Sequence, residues 1–166
     1  DGRGDLKNLL PGGPYTYTLS AEDAVGNRST TLEQIIRIDD IAPEISLSVQ
    51  PTIFAPRSES GSSRAVFTAV VHDASNPTRW ALKVTSEKGD LVQEFKGEGR
   101  PPTEIVWEGL DAKGAAFPDG KYDVRLHVTD EVGNQGKSAA ATVTINSAKP
   151  VLLVNAAEES VPDLMP

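Results

Sequence analysis

The sequence predicts an all-β protein: a two-layered sandwich of short antiparallel strands, written more than once along the chain. Three observations carry this. Apolar and polar residues alternate with a period of two, as in Tyr122, Val124, Leu126 and Val128 against Asp123, Arg125, His127 and Thr129. That is a strand with one dry and one wet face. Twelve prolines and fourteen glycines break the 166 residues so often that no long helical period survives. Finally, the beginning of the chain matches its end without a gap when displaced by 107 positions, which sets Gly13 on Gly120 and Tyr15 on Tyr122.

In chain order, Tyr15, Tyr17, Leu19 and Ala21 alternate with Thr16, Thr18, Ser20 and Glu22 and predict a first strand. Glu44–Gln50 and Ala65–His72 follow, both rich in the branched residues that suit a pleated surface. Trp80, Leu82 and Val84 alternate with polar neighbours. Leu91–Phe95 and Glu104–Trp107 are short apolar runs. The strand around Tyr122 and another over Ser138–Asn146 close the set. Turn signals separate them: "SESGSS", "EKGD", "GEGRPP", "DAKG", "FPDG" and "EVGN". About seven antiparallel strands in roughly a hundred residues predict an immunoglobulin-like β-sandwich. The chain has no cysteine, so Trp80 and Trp107 are the candidate bulky fillers where antibody domains place a disulfide.

The displacement also sets Leu19 on Leu126, Asp23, Val25, Gly26 and Asn27 on Asp130, Val132, Gly133 and Asn134, and Pro43 on Pro150. A period near one hundred residues is a whole domain, not a solenoid unit. The sequence therefore predicts three pieces. Residues 1–39 are the C-terminal half of one module, residues 40–147 a complete module, and residues 148–166 the start of a further module or a tail. The apolar face of Tyr15, Tyr17 and Leu19 is then expected to fray, to pair with another copy, or to borrow a strand such as Val151–Val154.

Composition excludes several functions. The net charge is −8 with no basic cluster in the sequence, so a nucleic-acid backbone is repelled. No apolar run is long enough to cross a membrane as a helix. Without cysteine there are no thiolate metal sites. No H-x-x-x-H zinc spacing, G-x-S-x-G elbow or phosphate loop occurs, so no catalytic set, metal or cofactor is expected.

The recurring phrase D-x-V-G-N supplies the candidate site residues. Asp23, Gly26 and Asn27, and again Asp130, Gly133 and Asn134, are read as structural turns: Gly supplies positive φ, Asn tolerates left-handed geometry, and Asp accepts backbone N–H groups. A calcium reading lacks the six or more oxygens that ion takes. Between modules, "IDDIAPEI" reads as a joint stiffened by Pro43. Asp39 and Asp40 could join Asp130-like carboxylates in an interdomain calcium site, but the matching joint carries Asn146 and Ser147. Arg3, Gly4 and Asp5 spell a tripeptide known as an adhesion ligand, and they form a candidate binding element of low specificity.

Trp80 to Asn134, with its W-x-G-x-D-x-x-G and P-D-G-x-Y pattern, resembles bacterial Ig-like repeats. These are related to the Ig-like domain of the flagellar hook-capping protein and to tandem repeats of spirochaete OmpA-like envelope proteins. Such modules often carry an acidic "SPDGDG" loop near their start. Here "APRSESGSS", Ala55 to Ser63, has Ser and Arg in its place. The resemblance implies a non-catalytic spacer in the bacterial cell envelope or on the surface, its partners being neighbouring modules. An adhesin or glycan- or protein-binding module is one alternative. An accessory domain of a secreted enzyme or of hook assembly is the other.

Overall fold

The computed structural model describes residues 10–149 except Thr31 and Ser60, and among these it contains strands, turns and loops but no helix. The first strands are β1 (Gly13–Tyr17), β2 (Ser20–Glu22), β3 (Arg28–Thr30) and β4 (Gln34–Ile38). Next come β5 (Glu44–Gln50), β6 (Ile53–Phe54), β7 (Ala65–His72), β8 (Pro77–Ser86) and β9 (Leu91–Glu98). The chain ends with β10 (Glu104–Trp107), β11 (Gly120–Asp130), β12 (Gln135–Lys137) and β13 (Ala141–Ile145).

From β5 onward two sheets face one another. One has the order β10–β7–β5. The other runs β6–β13–β11–β8–β9, with β12 also on β11. Seven of these nine strands are the ones that the sequence predicts. The two extra, β6 and β12, have only two and three residues. β6 lies parallel to β13, the one parallel pairing among the described strands. β12 separates from β13 because Ser138 turns inward, where it is 3% exposed and its hydroxyl accepts the Leu126 N–H at 3.0 Å.

The core lies between the sheets. β11 turns Tyr122, Val124, Leu126 and Val128 inward, none more than 4% exposed. β7 presents Ala65, Phe67, Ala69 and Val71 from the other side. The two tryptophans differ. Trp107 is 2% exposed and meets Phe54 and Tyr122 edge-on, with ring centroids at 5.6 and 5.3 Å. Trp80 sits at the margin of the core, where its indole lies over Gly97.

β1–β4 repeat the pairing of β11–β13 residue for residue. Gly13 opposes Ile38, Tyr15 opposes Ile36 and Tyr17 opposes Gln34. Displaced by 107, these become Gly120 with Ile145, Tyr122 with Val143 and Val124 with Ala141, the pairs observed. Ser20–Thr30 and Glu22–Arg28 likewise become His127–Lys137 and Thr129–Gln135. Even the tyrosine hydroxyls agree: Tyr15 donates to the Pro11 carbonyl at 2.8 Å, and Tyr122 to that of Pro118 at 2.6 Å.

Packing is what differs. Tyr17 and Ile36 are 49% and 47% exposed, whereas their counterparts Val124 and Val143 are fully buried. Among the described residues no second sheet covers β1–β4. No neighbour like β8 runs beside β1 and β2, and the strand that is continuous in β11 is split there. Backbone hydrogen bonds without a buried apolar layer open readily. Amide exchange in Tyr15–Ile38 is therefore expected to be faster than in Ala65–Ile145, and equal protection of both in a monomer would contradict this. Val151–Val154 lie outside the described residues.

Candidate functional site

The two D-x-V-G-N segments are equivalent turns. The Asp23 and Asp130 N–H groups donate to the Asn27 and Asn134 carbonyls at 3.0 and 3.1 Å. Gly26 and Gly133 have φ of 87° and 98°, a region that β-carbon crowding denies to most residues. Each Asp carboxylate fills the turn. Asp130 Oδ1 accepts the N–H groups of Val132, Gly133 and Asn134 at 3.0, 2.7 and 2.8 Å. Its Oδ2 accepts Asn134 Nδ2 at 2.9 Å and the Ser75 hydroxyl at 3.0 Å. Asp23 accepts Val25 and Asn27 N–H at 3.0 and 2.9 Å, and Asn27 Nδ2 at 2.7 Å.

The environments differ more than the geometry. Asp130 is 2% exposed, while Asp23 is in solvent. Burial pushes the Asp130 carboxyl up. Hydrogen bonds from the Asn134 side chain, Ser75 and the Asn134 and Gly133 N–H groups outweigh it and hold the group below its ordinary value. Asp23 is lowered chiefly by the Asn27 side chain and then by the Asn27 N–H.

The second turn also holds the segment that enters its module. Asn134 Nδ2 reaches the carbonyls of Asp39 at 3.3 Å and Ile41 at 3.2 Å. Pro43 is buried, and its carbonyl lies against Gly136 where any β-carbon would collide. The Ile41 N–H donates to Asp39 Oδ1 at 3.1 Å, and one module later the Ala148 N–H donates to Asn146 Oδ1 at 3.1 Å. A cleft of about 270 Å³ flanks this joint, between Gly12, Arg37 and Asp40 on one side and Ser75 and Val132 on the other.

Three carboxylates converge here. Oxygens of Asp39, Asp73 and Asp130 lie within 4.8 Å of one another. The sequence joins Asp39 and Asp40 to carboxylates of the Asp130 kind without saying which. The structure keeps Asp39, turns Asp40 toward Gly12 and adds Asp73 from the turn between β7 and β8. The Ser75 hydroxyl links Asp73 and Asp130, at 3.1 and 3.0 Å. These three residues are the ones that could approach a hard cation. However, both oxygens of Asp130 are already engaged by five protein donors, and such ions take six to eight oxygens.

Arg3, Gly4 and Asp5 lie outside the described residues. Their counterparts in the second module, Leu110, Asp111 and Ala112, lie in a turn in which Asp111 accepts the N–H groups of Lys113 and Ala115, both at 2.8 Å. The Ala55–Ser63 loop is tied to this turn by the Arg57 guanidinium, which donates to the Gly114 carbonyl.

No family model matches the chain, and no curated protein matches it either. Its fold is found in solved structures. Dimeric latent PorU from Porphyromonas gingivalis is similar at 20% identity with a TM-score of 0.50, over 84% of this chain and 13% of that one. The fibronectin(III)-like modules of Clostridium thermocellum CbhA are similar at 12% identity and a TM-score of 0.46, over 90% of this chain and 70% of theirs. A tetra-tandem repeat from the extending region of a large adhesion protein is similar at 19% identity and 0.41, over 83% and 33%. The chain spans about an eighth of the length of PorU. At such identities the likeness is one of fold: the chain is built as an immunoglobulin-like or fibronectin-III-like β-sandwich.

Proposed function

We propose that the chain is a non-catalytic spacer of tandem Ig-like modules from a bacterial envelope or surface protein, divided as 1–39, 40–147 and 148–166. The observation that carries this reading is the joint. The phrase that recurs is not spent on a reactive centre. It closes a turn, and in the second module that turn grips the incoming segment through Asn134 and Gly136. A spacer needs this, because an unheld linker lets neighbouring modules swing independently. The shared Asp, Gly and Asn are consumed in backbone hydrogen bonds, which leaves no nucleophile and base to propose.

The envelope location rests on the resemblance of the W-x-G-x-D-x-x-G and P-D-G-x-Y segments to bacterial Ig-like repeats. The finer relation to hook-capping and OmpA-like proteins rests on the same residues. Small-angle scattering of the chain in dilute solution tests the spacer reading. An elongated particle, whose maximum dimension grows with each module added from the parent sequence, is the expected result. A compact particle of unchanged dimension would refute it.

A further inference from the structure

The outer face of the β12–β11–β8–β9 sheet departs from the acidic character of the chain. Strand register aligns its side chains in rows. One row crosses four strands as Lys137, His127, Ala81 and Lys96. The row on one side holds Arg125, Lys83 and Glu94, and the row on the other Thr129, Arg79 and Glu98. Five Lys and Arg side chains thus meet two carboxylates here, in a chain of net charge −8. Glu94 is shared between Lys96 at 3.5 Å and Lys83 at 4.0 Å, and Lys96 stays 75% exposed.

The rows are not flat. Ala81 is the one small side chain in its row, and it forms the floor of an open depression of about 380 Å³ bounded by Arg79, Trp80, Lys96, Glu98, His127 and Thr129. The depression is open to solvent, so it can admit part of a polymer. His127 registers the cations around it: burial lowers its pKa first, and Lys83, Lys137 and Arg125 lower it further.

The internal repeat serves as a control on what the fold itself requires. Displaced by 107 positions, Arg125, His127 and Lys137 fall on Thr18, Ser20 and Thr30. The same strand pairing forms there without any of these cations. They are a property of the second module, not of the architecture.

We propose that this face binds an anionic polysaccharide, with a carboxylate or sulfate group seated over Ala81 between Lys96, His127 and Arg79. Charge complementarity selects an anion. The small aliphatic floor offers contact to the carbon face of a sugar ring, while the cations around it meet the acidic substituent. A nucleic acid fits less well. The one aromatic ring at the depression, Trp80, is half-buried against the core and over Gly97, so no open ring is offered there for base stacking. The acidic remainder of the chain also repels a dense run of phosphates, whereas a polysaccharide with one charge per ring or fewer is repelled less.

The test is titration calorimetry of the full chain with polygalacturonate, kappa-carrageenan (sulfate only, one per two rings), neutral dextran and duplex DNA at low salt. Binding of either acidic polysaccharide but not of dextran is expected, and the two arms tell carboxylate from sulfate. Lys96→Glu with Lys137→Glu should weaken that binding by about tenfold or more. Lys88→Glu with Lys113→Glu changes net charge equally but lies off this face, and should leave binding unchanged. Equal melting temperatures for the two double variants exclude a folding effect. No binding of either acidic polymer, equal losses in both variants, or tighter binding of duplex DNA would overturn the proposal. So would self-association of the chain through this face, detected by sedimentation and abolished by the first double variant.

Discussion

Trp107→Ala is expected to lower the stability of the second module by about 3–5 kcal/mol, the range for truncating a buried Trp or Phe. The reason is position. Trp107 stands on β10, in the three-stranded sheet, and its ring meets Phe54 on β6 and Tyr122 on β11 in the opposite sheet. Phe117 adds a third ring at 5.9 Å. Removing the indole therefore empties the space between layers. For a domain of this size the melting temperature should fall by at least about 12 °C. Trp107→Phe should lose much less, because the buried Nε1–H has no hydrogen-bond partner to forfeit. Trp80→Ala, at the core margin, should also lose less. A melting temperature for Trp107→Ala within about 3 °C of wild type would show that the layers are not joined through this ring.

Asp130→Ala is expected to cost up to about 3 kcal/mol, because it leaves several part-buried donors without their shared acceptor. Three N–H groups, a serine hydroxyl and the Asn134 amide all converge on this carboxylate. Asp23→Ala removes the counterpart group from a solvent-exposed turn and should leave stability close to wild type. The comparison weighs burial together with the Ser75 hydrogen bond, since the hydrogen bonds within the turn are shared. The pH dependence follows. The native Asp130 pKa lies below its ordinary value of 3.8. The charged group therefore contributes fully above the unfolded-state value, and that contribution is lost as pH falls through the native one. Urea midpoints measured from neutral pH downward should hold steady and then drop below about pH 4. The drop should be shallower in Asp130→Ala, and an identical acid limb in both proteins would contradict this assignment.

The two-residue alternation of β11 and the apolar run of β7 were legible because each strand buries a single face, which leaves a periodic trace. β6 and β12 left none, because two or three residues are too few to show a period. Trp80 and Trp107 read alike in the sequence. What separates them is the register that lays Trp80 across Gly97 at an edge strand and aims Trp107 between the sheets. At the joint, Asp39 and Asp130 could be connected by reasoning about linkers, but Asp73 arrives from a turn far away in sequence. A D-A-S turn at the end of a strand was the available clue. Asn134 read as a turn former, and its second task, holding two carbonyls of the incoming segment, depends on tertiary placement. The cationic rows were invisible for the same reason. Their members come from four strands, and only the register makes them neighbours.

The claim on which the rest depends is that the D-x-V-G-N turn fixes one repeat against the next. The chain has no cysteine, so two can be introduced and spin-labelled without background, for example at the exposed positions Ala21 and Lys88. Distances measured between the labels by pulsed electron resonance should give a single narrow distribution in the wild-type background and a broad one after Asn134→Ala. A distribution already broad with Asn134 in place, or one left unchanged by its removal, would contradict the account.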